Sequence, residues 1–325
     1  MKKSFLISVF AIFLSFFLDA QQKKNDFHLE VSQFFGLQDG MQNEFVYQFS
    51  ENENSYKKLS QLDWEMKKLF YLGGKIDFQY KNFSFNFLGA GFLPKKSGIM
   101  TDSDWIGIVS GFSEQTHLSK SENELSKGFF LDTSAGCRLD FSDFFSIKAN
   151  FGFEYNYYFF KASDGYGWYG NENTPYYSEN ATFYQKGKLA EISLERTIYS
   201  VYFLINPEFH ITRYFEINPF FKVAPFSFFK EIDHHFDFYS EGTFWYDYGT
   251  CFFNSNQAGI KIAIKPFEKL SFSFEYSYRF SMRFKGEIGE NSKNKESPFE
   301  MESNSKSAFE QKIHNFSISA KWLIF

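Results

Sequence analysis

The chain has 325 residues, a formal net charge of −5, 23% aromatic side chains including 49 Phe, and only 2 Cys and 7 Pro. The acidic balance excludes a nucleic-acid binder working through a general basic surface, and two cysteines exclude a disulfide scaffold. No stretch beyond residue 20 approaches the ~20 apolar residues of a membrane helix, yet this much ring surface suits a sheet whose outer face meets lipid.

At the N-terminus, Lys2 and Lys3 precede an apolar run from Phe5 to Leu18, and Leu18-Asp19-Ala20 ends it with a small residue. That order of charge, apolar run and cleavable end is the pattern of an export signal. The run is too short for a spanning anchor. Residues 1–20 are therefore expected to be removed, leaving 21–325 as one domain with no plug.

A first strand is expected near Phe27–Tyr47. Beyond it, polar stretches at Phe49–Lys58, Pro94–Glu122, Ser163–Lys186, Phe238–Thr250 and Glu290–Ser307 alternate with short connections. The short ones fall at Tyr80-Lys81-Asn82, Phe141-Ser142-Asp143, Thr212-Arg213 and Lys265-Pro266-Phe267. From Phe145, the residues Phe145, Ile147, Ala149, Phe151, Phe153, Tyr155, Tyr157 and Phe159 share one parity, with Ser, Lys, Asn, Gly and Glu on the other. The pattern returns from Leu270, where Phe272, Phe274, Tyr276, Tyr278 and Phe280 alternate with Ser273, Glu275, Ser277 and Arg279. Period two with aromatic residues on one face is the signature of a strand. Parity alone also fits a soluble sandwich; the export signal, ring content and run lengths favour a membrane barrel. The expected fold is all-β: an up-and-down antiparallel transmembrane β-barrel of about ten strands, with long extracellular loops and short periplasmic turns.

Direction follows from entry at the periplasm. Odd-numbered strands end at the outer rim, the third near Leu93 and the seventh near Asp233. Two acidic clusters lie just past those points: Met100-Thr101-Asp102-Ser103-Asp104-Trp105, in the long loop after the third strand, and Glu231-Ile232-Asp233-His234-His235-Phe236-Asp237. In extended backbone, Asp102 shares a face with Asp104 and Asp233 with His235. A carboxylate beside an imidazole orients it as a general base, and two adjacent carboxylates cannot both ionise freely. Together the four could activate a water and later protonate a leaving amine. Plainer readings stand beside this one: solvated loop surface, a weak cation site, or a His234-His235 metal pair, although no Cys or further His lies nearby at zinc spacing.

These segments resemble the omptin family. Gly98-Ile99-Met100-Thr101-Asp102-Ser103-Asp104-Trp105 is similar to its aspartate-pair motif, and Asp233-His234-His235-Phe236-Asp237 to its Asp-x-His segment. Ser60-Gln61-Leu62-Asp63-Trp64 is similar to its second-strand motif, and Glu44-Phe45-Val46-Tyr47 fits the top of its first strand. The resemblance implies a ten-stranded outer-membrane endopeptidase that cuts next to basic residues, often between two, with its site facing outside a bacterium. It implies Asp233 and His235 as the water-activating dyad, with Asp102 and Asp104 as the opposing couple. Glu44 and Glu231 occupy the positions of the pocket for the basic residue before the cut, and Glu114 that of the acid for the residue after it. No metal or organic cofactor is implied. Expected partners are cationic peptides or proteins and outer-membrane lipid, not nucleic acid, for a chain acting as a monomer. The alternative is a noncatalytic barrel serving as an adhesin or narrow channel.

Two departures stand out. Where the family carries a basic cluster for lipopolysaccharide, this chain has Phe153, Tyr155 and Tyr157, which puts lipopolysaccharide dependence in doubt. Asp233 and His235 also share parity with Phe215, Ile217, Phe221 and Val223, which should face lipid. A bulge or crossover must intervene if the dyad faces inward, and Pro225 is a plausible place for it. His28, His117, His210 and His314 lie apart in sequence and carry no assigned chemistry.

Overall fold

The structure is a computed structural model that describes residues 27–236, 242–291 and 300–324. The expected signal segment, 1–20, lies outside the described residues. The remaining chain is almost entirely strand: β1 (Phe27–Ser50), β2 (Ser55–Tyr80), β3 (Phe83–Phe92), β4 (Lys95–Asp104), β5 (His117–Ser142), β6 (Phe145–Tyr169), β7 (Thr182–Tyr184), β8 (Ile192–Thr212), β9 (Phe215–His235), β10 (Thr243–Cys251), β11 (Ser255–Phe267), β12 (Leu270–Asn291), β13 (Glu300–Met301) and β14 (Ser305–Leu323). β3 and β4 follow one another between β2 and β5. β10 and β11 do the same between β9 and β12. With β7 and β13 as short additions, the segments make an antiparallel ring of about ten strands. β1 pairs with β14 and closes it. Closure leaves no sheet edge, the condition for crossing lipid with strands.

Strand length corrects the loop boundaries expected from sequence. β1 has 24 residues and β2 has 26, whereas about 10 tilted residues cross a bilayer. The strands therefore continue well past the lipid on the outer side. Phe49–Lys58 shrinks to a turn at residues 51–54, and Ser163–Lys186 is strand as far as Tyr169. Lys95–Asp104 is strand rather than loop. Above the lipid both faces of a strand can meet polar surroundings, so the apolar alternation that marks a spanning strand is missing there. The turn at Lys81–Asn82 lies where expected; those at Asp143–Phe144 and Arg213–Tyr214 run one residue past the expected Phe141-Ser142-Asp143 and Thr212-Arg213, and the fourth, Glu268–Lys269, comes after the expected Lys265-Pro266-Phe267.

Below this level the outward residues are apolar and exposed: Phe35, Leu72, Ile76, Phe87, Leu131, Phe151, Phe153, Phe203, Ile205, Phe221, Phe272, Phe274 and Ile318. Inside, large rings lie over glycines. A Cβ on Gly36 would stand 2.1 Å from the Tyr71 ring, and one on Gly152 2.3 Å from that of Tyr202. The lumen is filled in layers. Lys222 bridges Asp132 and Glu154, and Arg279 pairs with Glu154 as well. Above these ions sits an apolar layer that includes Trp64, Met66, Leu69, Met100, Leu125, Phe160 and Leu194, all fully buried.

Several strands change facing at one level. β9 bulges at Ala224-Pro225: Val201 opposes Phe226 on one side and Phe203 opposes Val223 on the other. Phe221 below it is exposed, whereas Phe229, Glu231 and Asp233 above it are buried on the same parity. The expected switch at Pro225 is present. β2 does likewise at Lys67-Lys68, where Lys68 takes φ 52°, β5 at Ser126, and β12 at Met282-Arg283. Each extra residue turns the strand beyond it by one side-chain position.

This arrangement makes a testable demand. Deleting Lys68 would remove the bulge and leave Met66 five residues from Leu72 instead of six, so a regular strand keeps Trp64 and Met66 facing inward, opposite to Leu72. The deletion variant is therefore expected to keep the compact, heat-modifiable band of the folded barrel on detergent gels. Loss of that band would mean that the bulge itself, and not only the facing it sets, is needed for folding.

Candidate active site

β4 and β9 deliver the two acidic pairs to the outer interior of the barrel. Asp102 opposes Leu62 on β2 and Ser119 on β5; Asp104 opposes Ser60 and His117. Asp102 and Asp233 are buried, at 9% and 3% exposure. On β9, His235 Nε2 lies 2.6 Å from Asp233 Oδ2. Asp233 thus holds one ring nitrogen and leaves Nδ1 for another partner. The His235 side chain stays 39% exposed, which gives it access to solvent from the barrel mouth.

The two pairs interact across the lumen. Burial pushes the Asp102 carboxyl well above its usual range, and the charges of Asp104 and Asp233 add to this while His235 opposes it. Burial also raises Asp104, against a Ser60 hydrogen bond and the fields of His117 and His235. At His235, desolvation disfavours the charged ring, but Asp233, then Asp102 and Asp104, outweigh it and lift the imidazole to about 9. The charges of the four groups act on one another, so their protonations are linked.

His234 behaves differently. Its ring stacks on Phe244 and against Phe236, with centroids 3.8 Å away in each case. It lies on the opposite face of β9 from Asp233, as alternation requires.

A second group of charges lies beside the dyad, one residue pair further down β9. Glu231 faces Arg196 on β8 and Asp247 on β10. Glu44, Glu231 and Asp247 each place one carboxylate oxygen within 4.8 Å of the other two. Arg196 is fully buried among them: Nη2 donates to Glu231 Oε2 at 2.8 Å, Nη1 donates to Gln42 Oε1 at 2.8 Å, and Glu44 Oε2 is 4.0 Å from Nη2. Its guanidinium also covers the Phe309 ring at 4.5 Å. Burial raises Glu231 above its usual range, with Arg196 pulling the other way. Burial and neighbouring acids hold Glu44 and Asp247 well above theirs.

The structure therefore brings Glu44 and Glu231 together, and brings Asp102 and Asp104 into the field of Asp233 and His235. Glu114 is not part of either cluster. It is exposed on the connection between β4 and β5, where the Tyr177 hydroxyl donates to it. Sequence reasoning missed three residues. Arg196 and Asp247 sit on strands without a motif. His117 becomes the cross-strand neighbour of Asp104, and its Nδ1 lies 3.1 Å from Thr116 Oγ1. Reading residues 105–116 as a hairpin connection would have placed it there.

A model of the Omptin family matches residues 24–323. No curated protein matches the chain. Among solved structures, the outer membrane protease OmpT from Escherichia coli superposes with a TM-score of 0.78 at 17% identity, covering 91% of this chain and 97% of that one. At that identity the likeness is one of fold. The translocator domain of the autotransporter NalP from Neisseria meningitidis gives a TM-score of 0.38 at 10% identity, covering 97% and 96%. A Pseudomonas aeruginosa FadL homologue gives 0.31 at 9% identity, covering 92% and 90%.

Proposed function

This chain belongs to the omptin family, and we propose that it is an outer-membrane endopeptidase cutting peptides or surface proteins at basic sites. The observation that carries the reading is the pair of facing groups, Asp233–His235 on β9 and Asp102–Asp104 on β4, whose charges act on one another across the lumen. A water between them would give a proton to His235 and attack the peptide carbonyl. The Asp102–Asp104 couple, which retains a proton more readily than isolated carboxylates, would position that water and donate a hydrogen bond to the developing oxyanion. His235 would then protonate the departing amine. This scheme draws its acids and bases from the protein and assigns no step to a metal or organic cofactor.

Glu44 and Glu231 supply the negative pocket for a basic side chain. Glu114, exposed on the β4–β5 connection, is assigned to the residue after the cut. Phe153, Tyr155 and Tyr157 stand on β6 where the family has its basic cluster, which counts against a lipopolysaccharide requirement. A channel gains no support from a lumen closed by Trp64, Met100 and Phe160 above the Lys222–Glu154–Arg279 ions.

The direct test is a quenched peptide containing Arg-Arg, Arg-Lys or Lys-Lys, offered to the refolded chain without its first 20 residues. Absence of cleavage for all three would remove the protease reading. The pH profile is also defined. A general base acts only when unprotonated, so the raised His235 predicts that kcat/KM falls about tenfold per pH unit as pH drops below about 9. A profile flat down to pH 7 would show that Asp233 and the facing aspartates do not control the reacting group.

A further inference from the structure

We propose that the pocket formed by Glu44, Glu231 and Asp247 is a lysine site, with Arg196 as its built-in counter-ion and Asp247 as the acid that selects ammonium over guanidinium. The inference rests on the protease reading for its role and extends it by naming the side chain held.

The carboxylates are buried to 2%, 1% and 2% exposure. Glu44 Oε2, Glu231 Oε1 and both Asp247 oxygens have no hydrogen-bond partner. Buried acceptors without donors are expensive, so these oxygens call for a donor from outside. Arg196 meets only part of the need. Its Nη2 and Nη1 donate to Glu231 Oε2 and Gln42 Oε1, Nη2 stays 4.0 Å from Glu44 Oε2, and its Nε reaches none of the free oxygens. Three acids share one guanidinium, and neither oxygen of Asp247 is served by it.

Geometry distinguishes the possible guests. Three oxygens within 4.8 Å of one another fit around a single atom no more than about 2.8 Å from each, the length of a charge-assisted N–H···O bond. A lysine ammonium concentrates three donors on one nitrogen and can serve all three acids at once. A guanidinium is a flat fork suited to two oxygens and cannot place one nitrogen against all three. A divalent cation would need several more oxygens and would sit beside the positive charge of Arg196.

The test uses pentapeptides with a reduced, uncleavable bond after Lys or after Arg, titrated calorimetrically into the refolded barrel in detergent. Wild type should bind the lysine peptide at least fivefold more tightly. Asp247→Asn, checked for folding by heat-modifiable migration, should weaken the lysine peptide about tenfold and the arginine peptide less than threefold. Equal or tighter binding of the arginine peptide by wild type overturns the proposal, whether or not the variant folds. So does an Asp247→Asn barrel that keeps its lysine affinity, or displacement of the lysine peptide by equimolar calcium. The cleavable peptides are assayed alongside: selective lysine binding without cleavage would leave this pocket standing and remove the protease reading instead.

Discussion

His235→Ala should reduce cleavage by about 10²–10⁴-fold, the usual contribution of a positioned general base, while His234→Ala should keep activity within a few-fold of wild type. Both residues are imidazoles one position apart, and the structure separates them by what they touch. His235 Nε2 is bonded to buried Asp233 at 2.6 Å, and its ring feels Asp102 and Asp104 from the facing wall. His234 stacks with Phe236 and Phe244 on the other face of β9. The loss should appear in kcat more than in KM, because the base acts on the water rather than on the bound side chain. Added imidazole should restore part of the His235→Ala rate in a barrel that still migrates as folded. Equal losses from the two substitutions would mean that the face of β9, not the Asp233 partnership, has been misread.

The second large effect concerns stability. Arg196→Met should destabilise the barrel by about 3–5 kcal/mol, the cost of removing one partner from a buried ion pair. Methionine replaces the packing against Phe309 but leaves Glu231 and Gln42 without their donor. Urea unfolding in detergent, followed by tryptophan fluorescence, should show a lower midpoint with an unchanged slope. The double variant Arg196→Met/Glu231→Gln should recover part of the loss, since the charge left behind is also removed. The sign with pH follows from the acids: lowering pH protonates Glu44, Glu231 and Asp247, so the penalty of the single variant should shrink in acid. A penalty that is constant with pH would assign the loss to packing.

The spanning half of the fold was legible because lipid enforces a strict alternation there, as in Phe272, Phe274 and Tyr276 on β12. The same rule fails above the lipid. Lys95–Asp104 carries no such alternation and reads as loop, although it is paired on both sides by β2 and β5. Parity pointed Asp233 at lipid, and only the anomaly of a charged pair on an apolar face signalled the bulge at Pro225. Asp102, Asp104, Asp233 and His235 were found because local spacing puts each pair on one face. Arg196, Asp247 and His117 were not, because their relation to the site exists only across strands. Cross-strand register depends on where each bulge falls, and single bulges leave little trace in composition.

The bulges at Lys67-Lys68, Ser126, Pro225 and Met282-Arg283 also divide the barrel into two frames with separate phases. Side-chain facing below the seam says nothing about facing above it on those strands. Segments below can therefore lengthen, shorten or exchange their greasy residues in matched pairs while the acidic mouth keeps its aim. For protein engineering, the seam marks a graft line: the outer half of this barrel could be joined to the lipid-embedded half of another, provided each donor strand keeps or omits its extra residue at that height.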